Sequence, residues 1–470
     1  MNFRSILLVF FTITSQLLFS AGYTLPLFGP RDTARGGAFM VKADDLTAVV
    51  HNPANIIKLK GNNAFVGLGV IKTSGTADYY PIDFDENSTD YPINGATKYD
   101  KTISNAPDPF FNPMLAVSSD FGLKKFNFSL AVHGPYAPDY DYDKKCSRGA
   151  PSCPNRYSLY DSDITLANLQ FTVAYQVLKN LSFGVGLKLS YINFKYNLDL
   201  INTDDDAYSI ITRDAKEGGT DVNLKFDVTD KVNFNAVLGL TYSLNKYLSM
   251  AATYQTPISV DADGTMDTDI YKSSVILEKT KIIGDKLNIK LNLPHIFGIG
   301  FLFEVENKFN IELDFNMELW STHDKVVITP IDVYAVNLGV STKLSPITQT
   351  KKWKNTYNVS LGGDIIFLDN TFVLSLGTFY ESGAIPDEYF DVSIVDSDKF
   401  GVGFGLSYTW KFLTFNASFA YVDFLPRDIT NSKVHPPNAL QSDYPDDFIV
   451  GNGKFDTDIL VFSSGFTFRF

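Results

Sequence analysis

Five histidines and two cysteines are the residues of this chain best suited to catalysis or metal binding. Nucleophilic hydrolysis needs a serine or cysteine beside a histidine, with a further polar group that orients the ring. His133 and His295 fall within predicted strands, but each stands beside Gly or Pro, without a Ser and a polar partner at strand spacing. We therefore predict structural histidines and no enzyme activity, with lipid hydrolysis as a rival hypothesis.

The cysteines Cys146 and Cys153 lie in a short stretch rich in Pro and Gly, with no His nearby. In an exported protein, two cysteines this close predict a disulfide that closes a loop. The chain-entropy model gives roughly 2–3 kcal/mol for so small a ring. A partial calcium-loop spacing at residues 83–87 lacks the required Gly and Glu, so no metal and no cofactor is expected.

The first twenty residues predict an export signal. Arg4 precedes an apolar stretch over residues 6–19, and small residues follow at 20–22, where cleavage is expected. The apolar stretch is shorter than the roughly 20 residues that a membrane-spanning helix needs, and no second long apolar run follows. The net charge of −13 argues against nucleic acid as a partner.

Several stretches of the chain alternate apolar with polar or small residues, and 39 Phe and 25 Tyr make many of the apolar positions aromatic. In the stretch 309–319, one face is entirely apolar and the other carries amides and carboxylates from Asn310 to Glu318. The C-terminal stretch 460–470 alternates similarly. Successive side chains of a strand point to opposite faces. Lipid outside and a polar lumen inside suit such strands better than the packed sheets of a soluble protein.

Fourteen strands follow from this alternation. They span 63–73, 112–121, 126–136, 165–177, 181–201, 221–243, 248–261, 286–303, 308–320, 354–367, 371–381, 399–410, 412–424 and 457–470. Short turns alternate with long loops, as in bacterial barrels that place the turns in the periplasm. The prediction is an all-β, fourteen-stranded antiparallel transmembrane barrel over residues 63–470, in the bacterial outer membrane.

Residues 21–62 lie before the first predicted strand and are too many for a simple tail. Their turn-forming residues and short helical pattern predict a compact segment. A barrel of this width is a water channel unless its interior is filled. We therefore expect residues 21–62 to fold into the lumen as a hatch.

Parts of this segment resemble the FadL-type family of outer-membrane channels for hydrophobic compounds. The stretches 33–39, 43–48 and 52–54 are similar to that family's hatch in residue type, order and spacing. Further similarities lie at 134–136, 156–159, 293–294, 320 and 353–357, and the chain ends on an aromatic residue, Phe470, as many outer-membrane barrels do. The resemblance implies a hatch-closed barrel that binds a hydrophobic ligand from outside and releases it sideways beside a kinked third strand.

The resemblance also implies where the gate lies. The hatch residues are Arg35, Gly36, Gly37, Asn52, Pro53 and Ala54, and the kink residues are His133, Gly134 and Pro135. Pro cannot donate to a strand ladder and Gly relaxes the backbone, so both favour a break there. Alternatively, Asn52-Pro53-Ala54 is only a turn starter. The neighbours His51 and 55–57 depart from the family pattern.

The resemblance implies uptake of small hydrophobic molecules. Because no nucleotide motif or energy-coupling segment is visible, we expect this uptake to be passive. Apolar residues of the extracellular loops are expected to capture the ligand, for example Tyr208, Ile210 and Ile211, or Tyr389 and Phe390. Fatty acids, aromatic hydrocarbons and other lipids all stay open as ligands, since no single Arg or Lys stands out as a carboxylate clamp. The rival is a general porin, which Glu312, Asp314 and Glu318 in the lumen would suit. Other expected partners are outer-membrane lipid, lipopolysaccharide and the barrel-assembly machinery, with the protein itself a monomer.

Overall fold

The computed structural model describes most of the chain after the predicted export signal. It covers residue 25 and residues 27–80, 102–134, 139–142, 155–200, 222–270, 281–306, 308–337, 339–437 and 449–470. The predicted signal, the predicted disulfide between Cys146 and Cys153, Pro135 and the loop residues 208–211 lie outside the described residues.

A closed barrel of 14 antiparallel strands dominates the described residues. The strands are β1 (Asn62–Tyr79), β2 (Phe110–Ser119), β3 (Phe126–His133), β4 (Asp161–Leu178), β5 (Leu181–Leu200), β6 (Val222–Ser243), β7 (Leu248–Gln255 and Ile258–Ile270), β8 (Lys286–Leu293 and Ile296–Val305), β9 (Phe309–Glu318), β10 (Thr356–Phe367), β11 (Phe372–Glu381), β12 (Lys399–Trp410), β13 (Leu413–Ile429) and β14 (Gly453–Arg469). The last strand pairs with the first along its whole length, which closes the sheet. The predicted fold class and strand number are confirmed.

Smaller elements lie before and between these strands. Short strands cover Thr102–Asn105, Tyr140–Asp141, Lys281–Ile283, Lys325–Ile331, Tyr334–Asn337, Val340–Lys343 and Ile347–Thr350. Helices cover Pro30–Ala34 (α1) and Ala48–His51 (α2), with 3-10 turns at Pro53–Lys58, Trp320–Thr322 and Asp387–Tyr389. Among the described residues, no helix is long and apolar enough to span a membrane.

Two of the predicted strands are interrupted. Strand β7 breaks before Pro257 and β8 breaks at Pro294, where the sequence analysis predicted continuous strands. Neither proline can donate to a ladder, which accounts for both corrections. His295 therefore lies in a break and not in a strand, and its Nδ1 is 2.9 Å from the hydroxyl of Tyr254. Strand β3 is also shorter than predicted, since it ends at His133.

The outer surface of the barrel carries the apolar side chains that the alternation placed there. On β12, Phe400, Val402 and Phe404 are exposed, and Phe404 reaches 59% exposure. The intervening Gly401 and Gly403 face inward and are buried. A belt of exposed large apolar residues is stable only where lipid covers it. The surface therefore agrees with a location in a bilayer.

The buried apolar residues lie inside the barrel in separate clusters. The largest is at the long-loop end and includes Tyr79, Tyr140, Phe194, Phe226, Trp320 and Phe390. Phe390 is fully buried, packed 4.7 Å from Phe455 between ring centroids, so the prediction that it is an exposed capture residue is wrong. A second cluster joins the residues before β1 to the inner face of β1–β4. The chain before β1 therefore packs against the wall.

Candidate functional site

A buried charged network connects the N-terminal segment, defined here as residues 27–61, to the barrel wall. Arg35 follows α1 and is completely buried. Its guanidinium forms ion pairs with Glu312 on β9 at 2.9 Å and with Asp364 on β10 at 2.8 Å. It also donates to the side chain of Asn310 at 2.7 Å and to the carbonyl of Ala38 at 2.7 Å. These bonds fix the turn after α1 against two wall strands.

A second layer of ion pairs surrounds Arg35. Arg31 contacts Asp364 at 3.2 Å and pairs with Asp44. Lys42 contacts Glu304 at 2.6 Å. Burial alone would raise the pKa of Asp44, but the nearby Arg31 and Lys42 cations outweigh it and hold that pKa well below its usual value. Asp44 is therefore ionised and part of the network.

The inward acids of β9 are bound by backbone groups of the segment. Asp314 accepts the N–H of Met40 at 2.9 Å, and Glu312 accepts the N–H groups of Val41 and Lys42. The sequence analysis took these two acids, together with Glu318, as an indication of an aqueous pore. In the structure Glu312 and Asp314 bind the segment, so they no longer favour a general porin. Glu318 instead accepts the indole N–H of Trp320 at 2.5 Å and lines the cavity described below.

Glycines allow the segment and the wall to touch through their backbones. Gly36 and Gly37 adopt positive φ values of 59° and 82°, which L residues rarely adopt. A Cβ on Gly377 would lie 1.9 Å from the carbonyl oxygen of Arg35, and one on Gly362 would lie 2.2 Å from it. Any larger residue at these wall positions would push the segment away. The predicted residues Arg35, Gly36 and Gly37 thus lie together against β10 and β11.

Asn52, Pro53 and Ala54 lie on a different part of the wall. The side chain of Asn52 accepts from the N–H of Ala54 at 3.1 Å, which starts the 3-10 turn, and donates to Oγ1 of Thr241 on β6 at 2.9 Å. A Cβ on Gly184 of β5 would lie 2.3 Å from both Pro53 and Ala54. Asn52 is therefore a turn starter and also a contact with the wall.

The predicted kink residues lie at the end of β3. The ladder between β3 and β4 is described as far as the pair His133–Asn168, and the pair Tyr140–Ser162 is described beyond it. Gly134 follows the last strand residue, and a Cβ on it would lie 2.6 Å from the carbonyl oxygen of Leu166 on β4. Residues 135–138 lie outside the described residues, so the kink and the lateral opening stay predictions.

Residues of the N-terminal segment contact the end of β3 from inside. The ring of Phe28 lies 5.5 Å from that of His133, edge to face. His51 bonds through Nε2 to the carbonyl oxygen of Phe28 at 3.0 Å. His133 in turn is 2.9 Å from Oε1 of Gln170, a polar partner on β4 that the sequence analysis missed because it looked along one strand only. Phe28, with His51 bonded to it, thus connects the segment to the end of β3.

A cavity of about 240 Å³ lies between the segment and the long-loop end of the barrel. Its apolar lining includes Leu27, Phe28, Ile164, Ile192, Phe194, Ile258 and Ile296. Its polar lining includes His133, Lys188, Gln255, Glu318 and Glu381. The cavity therefore borders His133 at the end of β3 and is amphipathic. Lys188 was missed as a lumen cation, although strand alternation between Leu187 and Leu189 places it inward.

A closed barrel with a lipid-facing surface and a chain segment packed in its lumen defines a class, the outer-membrane β-barrel proteins. Residues 11–470 match the family model described as outer membrane protein transport protein (OMPP1/FadL/TodX). The chain belongs to this family of outer-membrane transport proteins, which confirms the family resemblance and the location.

Relatives of known name cover most of the chain. The long-chain fatty acid transport protein of Escherichia coli is 21% identical over 432 residues, which is 87% of this chain and 89% of that protein. The protein of the same name from Salmonella typhi is 21% identical over 424 residues, covering 87% and 88%.

Solved structures share the fold. A Pseudomonas aeruginosa FadL homologue superposes with a TM-score of 0.72 at 14% identity, covering 96% of this chain and all of that one (100%). The toluene transporter TbuX of Ralstonia pickettii gives 0.63 at 15% identity, covering 95% and 99%. At this identity the likeness shows the fold alone.

Proposed function

We propose that the protein lets small hydrophobic molecules cross the outer membrane passively, with the N-terminal segment as a hatch and the predicted kink after His133 as a lateral exit. The named relatives transport long-chain fatty acids or toluene. The observation that carries the proposal is the position of the cavity, which is lined both by the segment and by His133 at the end of β3.

Ligand capture is driven by burial of hydrocarbon. Transfer of a methylene group from water into an apolar lining yields about 0.8 kcal/mol, and Ile192, Phe194 and Ile258 supply that lining. A ligand that enters the cavity from the long-loop end meets Phe28 and His51 in its lining. Displacement of these two side chains opens a path beside His133 at the predicted kink, and the ligand leaves down its concentration gradient into the bilayer.

Movement is expected to be local, because the segment is held unevenly. Residues 31–42 are bound to the wall by buried ion pairs, whereas Phe28 contacts the wall through the ring of His133. His51 bonds within the segment, to the carbonyl oxygen of Phe28, and lies 4.0 Å from Asp32. The aromatic contacts are weaker than the ion pairs to break. The proposed gate is therefore Phe28 with His51, and the ion-paired part is its fixed support.

A reversible tether tests the hatch. Asn52 directly follows His51, and its Nδ2 lies 2.9 Å from Oγ1 of Thr241, so the pair Asn52→Cys with Thr241→Cys ties the segment to β6. The matched control is Ser243→Cys with Ser249→Cys, whose hydroxyls are 3.0 Å apart and which ties two wall strands. Both variants retain Cys146 and Cys153, so the control also accounts for the native cysteines.

Uptake of the hydrophobic dye N-phenylnaphthylamine is measured in bacterial cells that lack their own channel of this family. In the variant that carries the hatch tether, oxidation is expected to slow dye uptake and a reductant is expected to restore it. The control variant is expected to take up the dye equally fast when oxidised and when reduced. Full uptake through the oxidised hatch tether would refute the hatch. A large, steady, ohmic conductance of the wild-type protein in planar bilayers would favour a general porin instead.

A further inference from the structure

The short-turn end of the barrel is positively charged, although the whole chain carries a net charge of −13. Eight exposed cations lie at this end and are called the basic rim. They are Lys124 and Lys125 between β2 and β3, Lys179 between β4 and β5, Lys246 between β6 and β7, Lys308 between β8 and β9, Lys411 between β12 and β13, and Lys60 with Arg469 where β14 meets β1. The same junctions carry three acidic side chains, Asp120, Glu306 and Asp369, and the C-terminal carboxylate. Eight positive and four negative charges leave this end with a net charge of +4.

The cations of the basic rim have no carboxylate partner among the described residues. Exposed lysines at the long-loop end differ in this respect. Four of them are paired, namely Lys195 with Asp163 at 2.9 Å, Lys290 with Asp261 at 2.8 Å, Lys343 with Asp332 at 3.3 Å and Lys454 with Asp428 at 3.9 Å. Exposed pairs of this kind contribute little to stability. The difference therefore lies in availability, because the ammonium groups of the basic rim can bind an external anion.

Exposed aromatic residues fix the depth of the basic rim in the membrane. Trp410 is 56% exposed, and Nζ of Lys411 lies 5.1 Å from the centroid of its ring. Nζ of Lys246 lies 4.7 Å from the ring of Tyr247, which is also exposed. Aromatic girdles of outer-membrane barrels lie at the level of the lipid headgroups. Since a lysine stem can pack on apolar surface while its ammonium group reaches outward, these cations lie at the depth of the headgroup phosphates.

The distribution of the cations around the barrel indicates what they contact. This end has seven junctions, namely six turns and the meeting of β14 with β1, and six of the seven carry a cation. The exception is the turn between β10 and β11, which carries Asp369. A soluble partner docks against one side of a surface, whereas a lipid leaflet surrounds a barrel on every side. A nearly complete ring of cations therefore suits a leaflet better than a docked protein.

We propose that the basic rim binds anionic phospholipids of the inner leaflet, such as phosphatidylglycerol, in preference to zwitterionic ones. A zwitterionic headgroup carries its own ammonium beside the phosphate and gains less from a lysine. One cation near an anionic lipid surface favours the anionic lipid about fivefold. The inference concerns the outer surface of the barrel and is independent of the hatch and of the transported ligand.

Quenching of Trp410 by brominated lipid measures the preference, because this residue lies within the basic rim. The other two tryptophans, Trp320 and Trp353, are buried inside the barrel. The full-length protein is reconstituted in bilayers of phosphatidylcholine and phosphatidylglycerol, and either lipid carries bromine near the headgroup end of its acyl chains. The two quenching curves give the relative affinity of the lipids at Trp410. Phosphatidylglycerol is expected to bind about fivefold more tightly, and added sodium chloride is expected to weaken the preference.

Substitutions of Lys411 test whether its charge is responsible. Lys411→Gln is expected to lower the preference, Lys411→Glu to reverse it and Lys411→Arg to retain it. Quenching by brominated phosphatidylcholine alone is expected to be the same in all three, which shows that each variant is folded and inserted. The matched control is Lys454→Gln, because Lys454 is exposed at the long-loop end of β14 and is expected to leave the preference at Trp410 unchanged.

Two further reporters test the ring, both in a Trp410→Phe background. Tyr247→Trp places the reporter beside Lys246, and the same preference is expected there and is expected to be lost with Lys246→Gln. Phe367→Trp places it at the end of β10, beside the turn that carries Asp369 and no cation. No preference is expected at this position.

The outcomes decide between a lipid ring and other anion sites. Equal affinities of the two lipids at Trp410 and in Tyr247→Trp would overturn the inference, as would a preference at only one of these positions. An equal preference in Phe367→Trp would also overturn it, since the cations would then not be the cause. If sodium phosphate abolishes the preference and sodium chloride of the same ionic strength does not, the junctions bind free phosphate and the inference is wrong. None of these results affects the proposed channel function.

Discussion

Substitution of Arg35 by methionine removes the cation at the centre of the network between the N-terminal segment and the wall. The methionine side chain is unbranched and adaptable, so it fills much of the same space without charge. Glu312 and Asp364 are then left without the guanidinium that pairs with both. The substitution therefore tests whether these ion pairs hold the segment in place.

The expected cost follows from the partners that survive. Removing one member of a buried ion pair typically costs about 3–5 kcal/mol. Glu312 keeps the N–H groups of Val41 and Lys42, and Asp364 keeps Arg31 at 3.2 Å, so we expect the lower end. Undocking exposes both carboxylates to lumen water, so the substitution makes the free energy of docking of the segment less favourable. At 1.4 kcal/mol per tenfold, about 3 kcal/mol shifts the docking equilibrium roughly a hundredfold.

Hydrogen–deuterium exchange by mass spectrometry measures this shift in the detergent-solubilised protein. In Arg35→Met, amides of residues 35–58 are expected to lose protection by up to about a hundredfold, since they exchange through local undocking. Amides of the wall strands keep their own ladder bonds and are expected to be unchanged. Replacing both partners, as in Arg35→Met with Glu312→Gln, is expected to recover part of the protection.

The control removes a buried cation elsewhere. Lys399 pairs with Glu381 and Asp396 and contacts no residue of the segment through these bonds. Lys399→Met is expected to leave the protection of residues 35–58 unchanged. Unaltered protection of the segment in Arg35→Met, or equal loss of protection in segment and wall, would refute the idea that Arg35 holds a separately docked unit.

Two further predictions concern the same segment. Burial raises the pKa of Asp32 from 3.8 to about 6, so the docked segment binds the carboxyl proton of Asp32 more tightly than the undocked segment does. Docking is therefore expected to be strongest below pH 3.8 and to weaken as the pH rises through about 6. Exchange protection measured from pH 4 to 7 should therefore fall, and Asp32→Asn should flatten this dependence; an identical slope in the variant would contradict it. Gly377→Ala places a Cβ against the carbonyl of Arg35 and is expected to raise conductance in planar bilayers, whereas Gly69→Ala, with its nearest atom 3.5 Å away, is expected to have no effect.

The strands could be predicted because lipid and lumen impose opposite polarity on alternate residues. Strand β5 was predicted over 181–201 and spans Leu181–Leu200, and β12 was predicted over 399–410 and spans Lys399–Trp410. The breaks at Pro257 and Pro294 were missed because alternation continues on both sides of each proline. Their missing N–H donors were the available signal.

The pairing inside the barrel could not be predicted to the same extent. Alternation places Glu312 and Asp314 inward, but their partners belong to residues 35–42, which have no periodic pattern. Phe390 was expected to be exposed because it lies in a long loop, yet Phe455 and the guanidinium of Arg427 cover it. Such contacts depend on how distant segments meet, which strand periodicity does not encode.

The inward acids limit how far the N-terminal segment can move during uptake of a hydrophobic ligand. Complete undocking would free Glu312, Asp314 and Asp364 from the donors that now bind them. The lumen would then become a water-filled and strongly acidic path, which favours water and cations over a hydrophobic solute. Displacement of Phe28 and His51 alone leaves these acids bound. A variant that undocks the whole segment should therefore conduct water and ions while losing selective uptake.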